Sequence, residues 1–147
     1  MSRAIMQRMA PFLWTTRVRF VDTDASGRIH YTALFRWFEA AEQDFLRQLR
    51  QSYSGDPGAE IGWPRVHAEC DISGPFIFDD EVSIALRVTR VGNSSFELSY
   101  AASTAGIQRA AGRIVIVSID RQTQRSRPLP SAFAEALRSR MPEPSEG

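Results

Sequence analysis

The sequence predicts an α+β fold in which an antiparallel β-sheet packs on one long α-helix. Three observations carry this. Apolar residues recur at every second position in four segments, with a fifth that is a short unbroken apolar run. In one long segment they recur at spacings of three and four. The order is strand, helix, then four strands joined by short turns, which leaves no crossover helices to build a parallel sheet.

Trp14, Thr16, Val18 and Phe20 alternate with Thr15, Arg17 and Arg19, so the first strand is half-buried and is expected to end at Asp22. A loop runs to Gly27. From Thr32 the residues Leu34, Phe38, Ala41, Phe45 and Leu49 form one stripe of a helix, widened by Phe35 and Trp37, that extends toward Gln51. Ser52 to Gly62 is rich in Gly, Ser and Pro and reads as a flexible connection. Val66, Ala68, Cys70 and Ile72 then face one way and Arg65, His67, Glu69 and Asp71 the other, until Gly74-Pro75 closes the strand. Val82, Ile84, Leu86 and Val88 pass through a Gly92-Asn93-Ser94 turn into Phe96, Leu98, Tyr100 and Ala102, a hairpin. Gly106 marks another turn. The run Ile114 to Ile119 reads as a strand covered on both faces, hence central. Arg125 to Pro130 is a loop, Ser131 to Met141 a short helix capped by Ser131, and the last six residues a disordered tail. One domain spans residues 1–147, its core about residues 14–138. One face of the sheet covers the long helix. The other face and the edges call for a second copy, so a homodimer or tetramer is expected.

Composition narrows the function classes. Of the 147 residues 43% are hydrophobic and 24% charged, with a net charge of +1, which argues against a disordered chain and against a strongly nucleic-acid-binding one. All 18 basic residues are Arg, so Schiff-base lysine chemistry and a P-loop lysine are excluded, and an anion clamp would have to use Arg, backbone amides and hydroxyls. The single cysteine, Cys70, has no intramolecular disulfide partner and alternates with core positions. No apolar run reaches signal-peptide or membrane-spanning length, so a cytoplasmic protein without membrane partners is expected. Asn93-Ser94-Ser95 matches a glycosylation pattern but reads as a turn. His30 has no second ligand at i+3 or i+4, and Cys70 and Asp71 follow His67 on a strand rather than on one face of a helix, so no metal site is expected.

The segment Phe20 to Tyr31, running directly into the long helix, is the candidate site. It sets carboxylates one short loop ahead of a helix N-terminus, where the first N–H groups lack intrahelical partners and the macrodipole is positive. Such amides hold a developing oxyanion while a nearby acid attacks or activates water. Each residue also has a plainer role. Asp24 suits a turn, Asp22 a structural bond, His30 a satisfied loop position and Glu39 a pairing with Arg36.

The motif Asp22-Thr23-Asp24-Ala25-Ser26-Gly27, then His30-Tyr31, then Phe35-Arg36-Trp37-Phe38-Glu39 with Phe45-Leu46-Arg47, resembles the hotdog-fold acyl-CoA thioesterases of the 4-hydroxybenzoyl-CoA thioesterase type. The likeness continues through Gly74-Pro75, Asp79 to Val82, Ser95-Phe96 and Arg113 to Asp120. It implies a sheet wrapped around the long helix, with Asp24 as the catalytic carboxylate and Asp22 in support. The Tyr31 backbone N–H would polarise the thioester carbonyl. Asp24 would then act either as nucleophile, forming a mixed anhydride, or as general base on water. A related hotdog group carries its acid on the long helix, which makes Glu39 the rival, and His30 would shape the pocket or assist proton transfer. The resemblance puts the nucleotide end of coenzyme A at the Gly92–Ser95 turn, with Ser95 and Arg90 as contacts. No further cofactor is implied. Few cations stand at that turn, so an acyl carrier protein is an alternative donor of the thioester. A non-catalytic acyl-CoA binding or sensing domain is the second functional reading, and a hydratase or dehydratase the third. Phe35, Trp37, Phe38, Phe76 and Phe78 are available to line an apolar acyl pocket or to serve as core.

Overall fold

In the computed structural model, which describes residues 2, 3, 6, 10–53 and 60–142, five strands form one antiparallel sheet. They are β1 (Phe12–Arg17), β3 (Arg65–Ile72), β4 (Glu81–Val91), β5 (Ser95–Thr104) and β6 (Ile107–Val117), arranged in the order β1-β4-β5-β6-β3. Two-residue strands β2 (Ile61–Gly62) and β7 (Ile119–Asp120) pair separately. The helix α1 (Thr32–Gln48) crosses one face of the sheet, and a short α2 (Ser131–Arg138) covers one end. This is the expected α+β hotdog architecture.

The alternation in the sequence becomes the core directly. Val82, Ile84, Leu86 and Val88 of β4 and Phe96, Leu98, Tyr100 and Ala102 of β5 are all buried on one face, opposite Leu34, Phe38, Ala41 and Phe45 of α1. Burying a side chain of this size contributes roughly 1.5–3 kcal/mol. Phe38 reaches deepest, stacking on Tyr100 with ring centroids 4.4 Å apart. It can do so because β6 has Gly112 beneath it: a Cβ there would stand 2.4 Å from Phe38 Cε2 and 3.0 Å from the Glu69 carbonyl. Behind α2, Phe133 joins Trp63 and Phe96 at centroid distances of 4.9 and 5.5 Å.

Several boundaries differ from the expectations. The strand β1 stops at Arg17, because Val18 exchanges backbone bonds with Asp79 and Asp80 and the chain then winds into a 3-10 turn over Phe20–Asp22. Phe20 and Val21 therefore point outward, 77% and 76% exposed, and Phe20 stacks on Phe78 at 4.2 Å. The run at Ile114 is not central: β5 is, and β6 lies one strand in from the edge. The edge is β3, and the helix does not reach over it. Val66 and Ile72 are exposed and Cys70 is only half-buried. The helix ends at Gln48 rather than Gln51, since Arg50 adopts a left-handed φ of 57° and the Arg50 and Gln51 N–H groups turn back to the Arg47 and Leu46 carbonyls. Ser131 lies inside α2, whose N-cap is Pro130. Residues 54–59 of the expected flexible connection and 143–147 of the expected tail lie outside the described residues.

The close approach at Gly112 gives a direct expectation. Gly112→Ala, which would ordinarily favour a strand, will instead destabilise the fold by about 1–3 kcal/mol, read as a lowered urea midpoint at unchanged m-value.

Candidate active site

The loop between β1 and α1 is a small hairpin. Thr23 bridges Ile29, the Asp24 N–H donates to the Arg28 carbonyl at 2.8 Å, and Gly27 takes the left-handed φ of 83° that closes the turn. Asp22 at its base is buried, 4% exposed. Its Oδ2 accepts the Arg19 N–H at 2.9 Å, its Oδ1 pairs with Arg36 Nη1 of α1 at 3.1 Å, and its carbonyl accepts the His30 N–H at 2.7 Å. Asp22 thus joins the loop to the helix, and Arg36 is spent on it rather than on Glu39.

Asp24 stands at the exposed tip. Its Oδ1 accepts both the Ser26 N–H at 2.7 Å and the Ser26 hydroxyl at 2.5 Å, an Asx-type turn. The Ser26 hydroxyl and amide, helped by the charges of His30 and Arg28, hold its carboxyl below the usual range, so it is ionised at neutral pH.

His30 caps the helix. Its Nδ1 lies 2.7 Å from Thr32 Oγ1 and 3.3 Å from the Thr32 nitrogen, its carbonyl accepts the Ala33 N–H at 2.9 Å, and its ring stacks on Tyr31 at 4.5 Å. Tyr31 is the N-cap residue of α1, and its own N–H makes no hydrogen bond among the described residues. Tyr31 also lines a groove of about 380 Å3, together with Arg28, Ile29 and the Ile72–Phe76 segment.

A second cavity of about 190 Å3 lies further along α1, between Phe35, Phe38, Glu39 and Glu42 on the helix and Arg65, Ala68 and Ile114 on the sheet. Glu39 is exposed there, with a long contact of 3.5 Å from Gln43 Nε2. The cavity wall also holds a buried group that the sequence reading passed over: Glu42, 2% exposed, accepts Arg65 Nη2 at 2.5 Å and also the Tyr53 hydroxyl. Burial pushes the Glu42 carboxyl up, against the pull of Arg65 and the Tyr53 hydroxyl. The signal was present in the sequence, a charged residue four positions after Phe38 on the apolar stripe.

Arg90 and Ser95 are not brought to this site within one chain. They flank the β4–β5 turn, where the Gly92 N–H donates to the Ser95 carbonyl at 2.7 Å. The groove adjoins the opposite end of the sheet, near Ser83, seven residues before Arg90 on β4 and so about 23 Å away along the strand. His67 lies exposed in a pair with Glu69, beside Arg113. No group of three or more metal-ligating side chains occurs among the described residues, nor does any helix long and apolar enough to cross a membrane.

Residues 18–137, which include the loop, α1 and every strand after β1, match the thioesterase-like superfamily. The chain belongs to this superfamily. It is 34% identical over 131 residues to the 1,4-dihydroxy-2-naphthoyl-CoA hydrolase of Synechococcus sp. strain WH7803, covering 84% of this chain and 86% of that one. It is also similar to a gentisyl-coenzyme A thioesterase structure, at 30% identity and a TM-score of 0.76 over 85% of this chain and 98% of the other. The fold is shared as well with a 1,4-dihydroxy-2-naphthoyl-CoA thioesterase from Synechocystis, at a TM-score of 0.81 over 86% and 94% of the two chains, though only 22% of residues are identical.

Because burial raises the Glu42 carboxyl, the folded protein binds that proton more tightly than the unfolded chain does. Its contribution to stability is complete below the ordinary glutamate range, about 4.3, and is lost as pH rises through the elevated value. Glu42→Gln should flatten this part of the pH–stability curve, as followed by urea unfolding between acid and neutral pH.

Proposed function

We propose that this chain hydrolyses aromatic acyl-CoA thioesters, with Asp24 as nucleophile or general base and the Tyr31 N–H as the oxyanion donor. Thioester hydrolysis itself is the activity of the family, and the relatives named above act on aryl-CoA thioesters. The 4-hydroxybenzoyl-CoA type and an acyl carrier protein donor are finer variants of the same reading. The observation that carries the proposal is the unpartnered N–H of Tyr31 at the positive end of α1, in a residue that lines a groove.

A thioester carbonyl on that amide gains most as negative charge develops on its oxygen, which is the condition for lowering a barrier rather than tightening binding. Asp24 is ionised and needs no proton removed before it acts. To attack, it must exchange the Ser26 hydroxyl for the substrate. The cavity beside Phe35 and Phe38 is one turn beyond Tyr31, and these two rings suit an aromatic acyl group, with Glu42 and Arg65 as further polar lining. Glu39 lies on its wall as a polar contact for a ring substituent. The uncovered apolar side of β3 supports a homodimer built along that edge. A cytoplasmic location accords with the absence of a membrane-crossing helix among the described residues.

Thiol release from a panel of aromatic, short and long acyl-CoAs tests the reading. Aromatic thioesters should be preferred, and Asp24→Asn should lower kcat by about 100-fold or more. Retention of full activity by the variant would move the acid to Glu39, and binding without turnover by wild type would leave a sensor. In Ser26→Ala the carboxyl of Asp24 loses the strongest of its stabilising contacts and its pKa rises. The acid limb of the kcat/KM profile should therefore move to higher pH.

A further inference from the structure

We propose that Arg28 and Arg109 form an anion subsite at the Ser73–Pro75 side of the groove, and that its occupant is a phosphate of the coenzyme A portion of the substrate. The inference rests on the thioesterase reading above and assigns the end of the groove which that reading leaves unused.

Among the described residues, some guanidiniums have a carboxylate partner and others have none. Arg17, Arg36, Arg47, Arg65, Arg113 and Arg127 each pair with a carboxylate. Arg28 and Arg109 make no side-chain hydrogen bond or ion pair among the described residues, although the Asp24 charge is felt at Arg28. The Nε of Arg109 is, moreover, buried without a partner. A buried charged donor left unsatisfied costs more than a neutral one, and its presence calls for an acceptor.

The position of Arg109 is built into the backbone. The Ser73 and Gly74 N–H groups both donate to its carbonyl, at 2.8 and 3.2 Å, which pins the loop to β6. Its side chain then lies across Gly74, where a Cβ would come within 2.4 Å of Cδ and 2.7 Å of Nη1. Only glycine leaves room for this arrangement. Gly74 and Ser73 line the same groove as Arg28 and Tyr31. A thioester on Tyr31 with its ring toward Phe35 would send its thiol arm along this groove, past Arg28 and past Gly74, against which the Arg109 side chain lies. Guanidinium forks match phosphate oxygens, and two of them suit a polyanion better than a single carboxylate. The net charge of +1 supplies no general attraction, so recognition of the coenzyme must be local.

The test compares benzoyl-CoA with benzoyl-pantetheine, which lacks every phosphate, in wild type, Arg28→Gln, Arg109→Gln and Arg109→Lys, with equilibrium binding of free coenzyme A as a second readout. The preference in kcat/KM for the CoA thioester should fall about tenfold or more in each Gln variant. Arg109→Lys should recover part of it, and added salt should weaken coenzyme A binding to wild type more than to Arg109→Gln. Arg28 lies in an exposed loop, so its variant reports even where Arg109→Gln perturbs folding. Equal losses on both thioesters, or unchanged preference and unchanged coenzyme A affinity, would overturn the subsite. So would a response confined to pantetheine thioesters whose acyl group bears a carboxylate, which would assign the cations to the acyl end. Arginine-dependent coenzyme A binding by a wild type that cleaves neither thioester would keep the subsite and remove the hydrolase.

Discussion

The groove depends on how the first turn of α1 is held, and Asp22 is the joint. One buried carboxylate takes the Arg19 amide before the loop and the Arg36 guanidinium after it, while its carbonyl takes the His30 amide. A hairpin tip carrying an ionised acid would otherwise be free to move relative to the helix. Because three separate bonds converge on one residue, Asp24 and the Tyr31 amide are displayed from a single rigid piece. The work of the two acids is divided by environment: Asp22 is buried and bonded, Asp24 exposed and engaged only by Ser26.

The opposite end of the apparatus depends on packing rather than on hydrogen bonds. Phe38 enters the sheet above Gly112, and this sets the depth at which α1 lies. The cavity beside Phe35 exists because the helix covers β4, β5 and β6 but leaves β3 open. The same shortfall exposes the apolar side of an edge strand, the usual liability of an open sheet. Cavity and uncovered edge therefore share one geometric cause.

Much of the fold could be read from residue periodicity, because side-chain alternation and the 3.6-residue repeat are local consequences of backbone geometry. The strands at Val82–Val88 and Phe96–Ala102 and the helix from Thr32 appear where their patterns put them. The readings that shifted are those in which a distant partner overrides the local pattern. Phe20 alternates correctly for a strand, yet Asp79 and Asp80 capture the chain at Val18 and turn Phe20 outward. Ile114–Val117 is apolar enough for a central strand, but strand order comes from pairing, which no single strand encodes.

The same division holds at the site. The sequence by itself determined the acid-bearing loop, its position one step ahead of a helix and the family to which that motif points, since all of these depend on residues adjacent in the chain. Only the tertiary structure decided that Asp22 rather than Glu39 holds Arg36, that Glu42 is buried against Arg65 and Tyr53, and that Arg90 and Ser95 lie far from the groove while Arg28 and Arg109 lie beside it. These are contacts between residues distant in sequence. Their energies depend on desolvation and on which partners lie within reach, quantities that exist only once the chain has closed on itself.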